Sequence, residues 1–116
     1  MAVVDDDESV RESLPDLLRE LGFGVQAFSS AEEFLSSEFH NTECLLLDVA
    51  MPGMSGPALQ QELLRSDRKV PIVFITSRAD KNIRAQVLEA GAVAYLLKPF
   101  TETALLDAVM QALRNP

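Results

Sequence analysis

Four apolar runs in this chain end on side chains that can do chemistry. Val3-Val4 runs into Asp5-Asp6-Asp7, and Cys44 to Leu47 runs into Asp48. Ile72 to Ile75 runs into Thr76, and Tyr95-Leu96-Leu97 runs into Lys98-Pro99-Phe100. If each run is a buried parallel strand, the residue that breaks it sits at the strand's carboxyl end. In an open α/β sheet that edge is where ligands bind. At least three carboxylates, a hydroxyl and an amine would then converge on one site. Metal-assisted transfer of a phosphoryl group to a carboxylate uses this set of groups.

Taken singly, the members say less. Asp7 suits a helix N-cap, and acids near a helix N-terminus favour its dipole. Asp5 and Asp6 fit that bland role less well, because adjacent carboxylates at the end of a buried strand repel unless a cation sits between them. Mg²⁺ takes one or two carboxylates and keeps several waters. Asp48 reads equally as a turn former before Met51-Pro52-Gly53. The loop Met51-Pro52-Gly53-Met54-Ser55-Gly56 holds one Pro and two Gly, so its backbone is tightly prescribed. A rigid loop beside a carboxylate can hold a backbone carbonyl on a metal. Thr76 alone suits a structural strand position, and Lys98 a solvated edge. The bond before Pro99 belongs to the class that can be cis.

The elements that must position these residues alternate along the chain, which argues for βαβ units and a parallel sheet. Val3-Val4 closes a short first strand. Val10, Leu14, Leu17, Leu18 and Leu21 give helical spacing over residues 9–21, stopped by Gly22. Pro15 falls inside that helix, where it removes one bond and costs about 3 kcal/mol; a kink or compensating packing is expected. Val25 to Phe28 reads as a second strand, and Ser30 with Glu33 as a capping box for a short helix. Cys44 to Leu47 reads as a central strand buried on both faces. Pro57 opens a third helix with Leu59, Leu63 and Leu64. Ile72 to Ile75 is the fourth strand. Ile83, Val87 and Ala90 mark a fourth helix ended by Gly91, and Ala92 to Leu97 is the fifth strand. Thr101 caps a last helix with Leu105, Leu106, Val109 and Leu113 inward.

The 116 residues suffice for one domain with a single core. A net charge of −8 opposes binding to nucleic acid or to anionic membranes. Cys44 is the only cysteine, so no internal disulfide can form; this fits a reducing compartment. No run is long enough to span a bilayer, and no signal peptide pattern opens the chain. A cytoplasmic soluble domain is the expectation. His40 reads as a surface residue and Cys44 as core.

Five stretches together resemble the receiver domain of bacterial two-component response regulators, the CheY-like family. They are Val3 to Glu8, Leu46 to Gly56, Ile75-Thr76-Ser77, Gly91-Ala92 and Tyr95 to Phe100, in the family's order and spacing. The wording Ser9-Val10-Arg11-Glu12-Ser13-Leu14 and Ser29 to Leu35 is most similar to FixJ-type regulators. The resemblance implies a doubly wound five-stranded parallel sheet, order 2-1-3-4-5, flanked by five helices, as one receiver domain over residues 1–116. It implies that Asp48 is the phosphoacceptor and that Mg²⁺ is held by Asp5, Asp6, Asp48 and the Ala50 carbonyl. Thr76 and Lys98 would bind the phosphoryl oxygens. Thr76 and Tyr95 would form the switch that reshapes the face of the fourth helix, fifth strand and fifth helix. The implied donor is a sensor histidine kinase, and the implied output is transcription. A phosphorylation-dependent homodimer is expected, with no direct nucleic-acid binding by this domain. FixJ-type regulators usually carry a C-terminal DNA-binding domain, which these residues do not include, so the resemblance fits either the receiver of a transcription factor or a stand-alone regulator. The family usually places several more residues before Val3, so a weak sheet edge is expected there.

A charge count agrees independently. Asp5, Asp6 and Asp48 bring −3, Lys98 brings +1 and Mg²⁺ brings +2, which sums to zero. Phosphorylation takes Asp48 from −1 to about −2, so a new donor at Thr76 is useful. Two rivals share the fold. A Mg²⁺-dependent phosphatase with an aspartyl nucleophile would carry a second Asp two residues on, where this chain has Ala50. A flavin- or nucleotide-binding module would need a Gly/Ser/Thr-rich phosphate loop after the first strand, where this chain has Asp5-Asp6-Asp7-Glu8.

Overall fold

The computed structural model describes residues 1–37 and 41–114; His40 and the terminal Asn115-Pro116 lie outside them. Five strands, β1 (Ala2–Val4), β2 (Gln26–Phe28), β3 (Leu45–Asp48), β4 (Ile72–Thr76) and β5 (Ala94–Leu97), alternate with five helices. The helices are α1 (Glu8–Glu20), α2 (Ala31–Leu35), α3 (Gly56–Arg65), α4 (Lys81–Glu89) and α5 (Glu102–Arg114). All neighbouring strands pair in parallel, and the order is β2-β1-β3-β4-β5. The short β1 is therefore not an edge. It pairs residue for residue with β2 on one side and β3 on the other.

The two-residue period of the strands divides the core. Val4, Leu45, Leu47 and Phe74 face α2, α3 and α4, meeting Phe34, Leu59, Leu63 and Val87. Val3, Leu46, Val73 and Ile75 face α1 and α5, meeting Leu14, Leu18, Leu105 and Val109. Burial on both faces explains why β3 and β4 read as unbroken apolar runs. Phe28 and Phe34 meet edge-to-face at 5.5 Å, which fixes α2 against the β2 edge.

Helix ends follow local chemistry. Asp7, Ser30, Ser55 and Asp80 cap α1 to α4, and Thr101 Oγ1 accepts from Ala104 N at the start of α5. Glu33 departs from the capping-box pattern: its carboxylate accepts from the Ser29 hydroxyl at 2.6 Å. At the other end of α1, Gly22 (φ +97°) lets Gly22 N and Phe23 N reach Arg19 O and Leu18 O. α4 closes the same way at Gly91. α3 does so on Asp67, at φ +56°.

Several expectations need correction. The fifth strand begins at Ala94 rather than Ala92, because Ala92 N is taken by Val87 O in the α4 stop. The second begins at Gln26 rather than Val25. Leu64 is 52% exposed and Leu106 is only partly buried, each lying at the margin of its helix's apolar stripe. Pro15 does not end α1; the helix runs on to Glu20 with the ring buried, and that burial offsets part of the missing bond. No functional role for Pro15 is visible.

Candidate functional site

The carboxyl ends of β1, β3, β4 and β5 open into one cleft of about 340 Å³. Asp5, Asp6, Asp48, Ala50, Thr76 and Lys98 all line it, with Asp7, Ser77 and Arg78. The sequence expectation that strand-end groups would converge is met by parallel register: Asp48 lies opposite Ile75 across β3–β4, and Thr76 opposite Leu97 across β4–β5.

Each side chain is held by its own strand end. Asp48 closes β3, is 8% exposed, and its Oδ1 accepts from Val49 N at 2.9 Å. Asp5 follows β1 and is fully buried. Its Oδ1 accepts from Asp7 N at 2.9 Å, and its Oδ2 pairs with Lys98 Nζ at 2.8 Å. Lys98 follows β5, its backbone N–H donating to Thr76 O at 2.7 Å, and the Lys98–Pro99 bond is cis. Thr76 closes β4 at 2% exposure, and its Oγ1 accepts from Arg78 N at 3.1 Å. Asp6 and Ala50 are exposed to solvent.

The electrostatics point to a cation. One oxygen from each of Asp5, Asp6 and Asp48 lies within 4.8 Å of the others. Burial, then the Asp5 charge, pushes Asp48 up from 3.8 to about 7; Lys98 and the Val49 N–H pull the other way. Three crowded carboxylates with one amine leave unbalanced negative charge in a partly dry cleft. A hard divalent ion with oxygen preference relieves it, and the donor set fits Mg²⁺.

Tyr95 does not line this cleft. It borders the neighbouring groove between α4 and α5 with Leu97, Phe100 and Ala104. Its ring packs against the α2–α3–α4 core and its hydroxyl donates to Arg78 O at 3.3 Å. Burial and the Asp80 charge raise its pKa. The tyrosine is thus coupled to the segment after Thr76 rather than standing free on the surface.

Three supporting residues escaped the sequence reading. Arg11 donates from Nη1 to the Asp5 carbonyl at 3.0 Å, bracing the β1 end from α1. Gly56 packs so closely on β3 that a Cβ there would lie 2.2 Å from Asp48 O. Glu32 reaches from α2 to Met54 N at 3.2 Å. Only Gly56 carried a signal, as the second glycine of the Met51–Gly56 loop.

Comparison with known proteins settles the family. The response regulator receiver domain model matches residues 1–110. This chain belongs to the response regulator receiver family. The receiver is 47% identical over 111 residues to nodulation protein W of Bradyrhizobium diazoefficiens, covering 95% of this chain and 49% of that protein. It is 36% identical over 112 residues to the transcriptional regulatory protein FixJ of Azorhizobium caulinodans, covering 96% and 53%. The solved structure of the response regulator StyR superposes with a TM-score of 0.91 at 48% identity, over 97% of this chain and 58% of that one. The receiver spans about half the length of the curated relatives it matches. No helix among the described residues is long and apolar enough to cross a membrane.

Proposed function

We propose that this receiver accepts a phosphoryl group on Asp48 from a sensor histidine kinase and relays the change to a transcriptional output. The observation that carries this is the convergence of Asp5, Asp6, Asp48, Thr76 and Lys98 on one cleft, with the acceptor carboxylate almost wholly buried. Relatives that share about half their length with this chain include transcriptional regulators by name, which supports the output.

Asp48 Oδ1 is fixed by Val49 N–H, which leaves Oδ2 as the attacking oxygen. The Oδ2–P bond forms as the P–N bond of a phosphohistidine breaks; the electron pair stays on the ring nitrogen, and the ring leaves as neutral imidazole, keeping the proton already on its other nitrogen. Mg²⁺ held by Asp5, Asp6, Asp48 and the Ala50 carbonyl would supply neutralisation of the acidic cluster and of the phosphoryl oxygens. Lys98, paired with Asp5 before transfer, is placed to donate to a phosphoryl oxygen. Thr76 Oγ1 would exchange its bond with Arg78 N for one to another oxygen. That exchange frees the Arg78 segment, to which Tyr95 is tied, and so alters the α4–β5–α5 face. A shift from 1:99 to 99:1 needs roughly 5.5 kcal/mol of differential stabilisation, within reach of a few charge-assisted hydrogen bonds.

In this reading the domain turns over no external substrate; its chemistry is its own phosphorylation and dephosphorylation, in the cytoplasm. Phosphorylation favours a homodimer, and nucleic-acid contact falls to another domain. The test is incubation with a small acyl phosphate, with and without Mg²⁺, beside Asp48→Asn. One alkali-labile phosphoryl group that needs Mg²⁺ and is lost in the variant is expected. Incorporation indifferent to Asp48→Asn would overturn the assignment.

A further inference from the structure

The loop between the phosphoacceptor and α3 is held by more than its own sequence. Val49 O accepts from Gly56 N at 2.9 Å, closing the loop at its base. Met51 is buried, and Met54 packs against the α2–α3–α4 core. Beyond these, a side chain from a distant element enters: Glu32, in the first turn of α2, accepts from Met54 N at 3.2 Å. Gly53 makes the approach feasible. It sits at φ +75°, and a Cβ there would lie 2.6 Å from Glu32 Oε2. The turn thus needs glycine for its dihedral, and the carboxylate needs glycine for space.

Glu32 is exposed, and an exposed acid at a helix N-terminus is adequately explained by the dipole. Dipole interaction does not explain why its carboxylate should seat on a loop 22 residues away. A hydrogen bond from a backbone N–H to a side-chain oxygen is directional, unlike a loosely held surface ion pair, so it fixes geometry. The segment so fixed begins one residue past Asp48 and contains Ala50, which lines the acidic cleft.

We propose that Glu32 is a positioning residue of the cation site. Its carboxylate, seated against Gly53 and bonded to Met54 N–H, holds the 49–55 loop so that the Ala50 carbonyl is presented to the metal. The inference rests on the reading of the acidic cleft as a Mg²⁺ site. Partners that orient a metal's ligands typically contribute ten- to hundredfold in affinity. One contact on a loop already pinned at its base belongs at the low end, roughly tenfold.

The test is Mg²⁺ binding to the unphosphorylated domain by titration calorimetry, repeated as the Mg²⁺-dependent rise in melting temperature. Three variants separate reach from charge. Glu32→Gln keeps the reach and an acceptor oxygen but drops the charge. Glu32→Asp keeps the charge but is one methylene too short. Glu32→Ala loses both. Weakening of roughly tenfold in Glu32→Ala and Glu32→Asp, with Glu32→Gln close to the parent, is the expected pattern. Phosphorylation at saturating Mg²⁺ should then be nearly unchanged in all three. Equal affinity in all four proteins would overturn the inference. So would Glu32→Asp matching the parent while Glu32→Gln matches Glu32→Ala, which would make Glu32 a remote charge and nothing more. A parent that binds no Mg²⁺ would sink the metal reading itself, and this inference with it.

Discussion

Replacing Asp48 by a neutral side chain should make the metal-free protein more stable. Asp48 ionises near pH 7 in the folded chain against 3.8 as its ordinary value, so the folded state holds its proton more tightly. Stability from this group is therefore fully present below pH 3.8, falls as pH rises, and is lost by about pH 7. The difference corresponds to about 4 kcal/mol at most. A separate route gives a similar size. Two charges no more than 4.8 Å apart, at an effective dielectric near 20, repel by about 3.5 kcal/mol or more. Lys98 and water entering the cleft offset part of this. Asp48→Asn, which imitates the protonated acid, should then gain about 1–3 kcal/mol at pH 8 in chelator, or roughly 4–12 °C in melting temperature. At pH 5 the gain should fall to less than half. Saturating Mg²⁺ should erase it by stabilising the parent. Thermal melts of the two proteins over pH 5–8, with and without Mg²⁺, provide the assay. A variant that melts at or below the parent in chelator at pH 8 would rule out charge crowding at Asp48 as the source of instability, as would a gain indifferent to Mg²⁺.

Further predictions concern packing and local backbone. Gly56→Ala places a methyl 2.2 Å from Asp48 O; it should cost about 3 kcal/mol or more in denaturant melts and depress phosphorylation by displacing the acceptor strand. Asp67, at φ +56° in the α3 stop, carries a left-handed strain that Gly does not, so Asp67→Gly should raise stability by about 0.5–1 kcal/mol. Cys44 is fully buried and burial pushes its thiol up to about 12. A thiol reagent at pH 8 should label it only as fast as the protein opens, and rapid labelling in native buffer would contradict the placement.

Much of the fold was legible because its physics is local and repetitive. The runs at Leu45–Leu47 and Ile72–Ile75 are apolar at every position, as only strands covered on both faces are, and Gly22 and Gly91 mark helix stops by needing a positive φ. The site was legible for a related reason: a chemically active residue that interrupts a buried strand in a parallel sheet has only one edge to occupy. What stayed hidden depends on contacts between distant segments. Nothing in the spacing of Glu32 and Met54, or of Arg11 and Asp5, announces a hydrogen bond. Leu64 and Leu106 sit at the margin of an apolar stripe, where rotation of the helix by a few tens of degrees decides exposure. The start of β5 is hidden in the sequence because Ala92 is apolar, yet its N–H belongs to the α4 stop.

Phosphoryl transfer is proposed to end on one carboxylate, Asp48, and on no other group in the cleft. Its most direct test is to treat the purified domain with a small acyl phosphate and Mg²⁺. Borohydride reduction of any aspartyl phosphate, followed by peptide mass spectrometry, then maps the modified residue. Modification at Asp48 alone, abolished by chelator, is the predicted result. Modification at Asp5 or Asp6, or a stable phosphate on Thr76 or Ser77, would place the acceptor elsewhere.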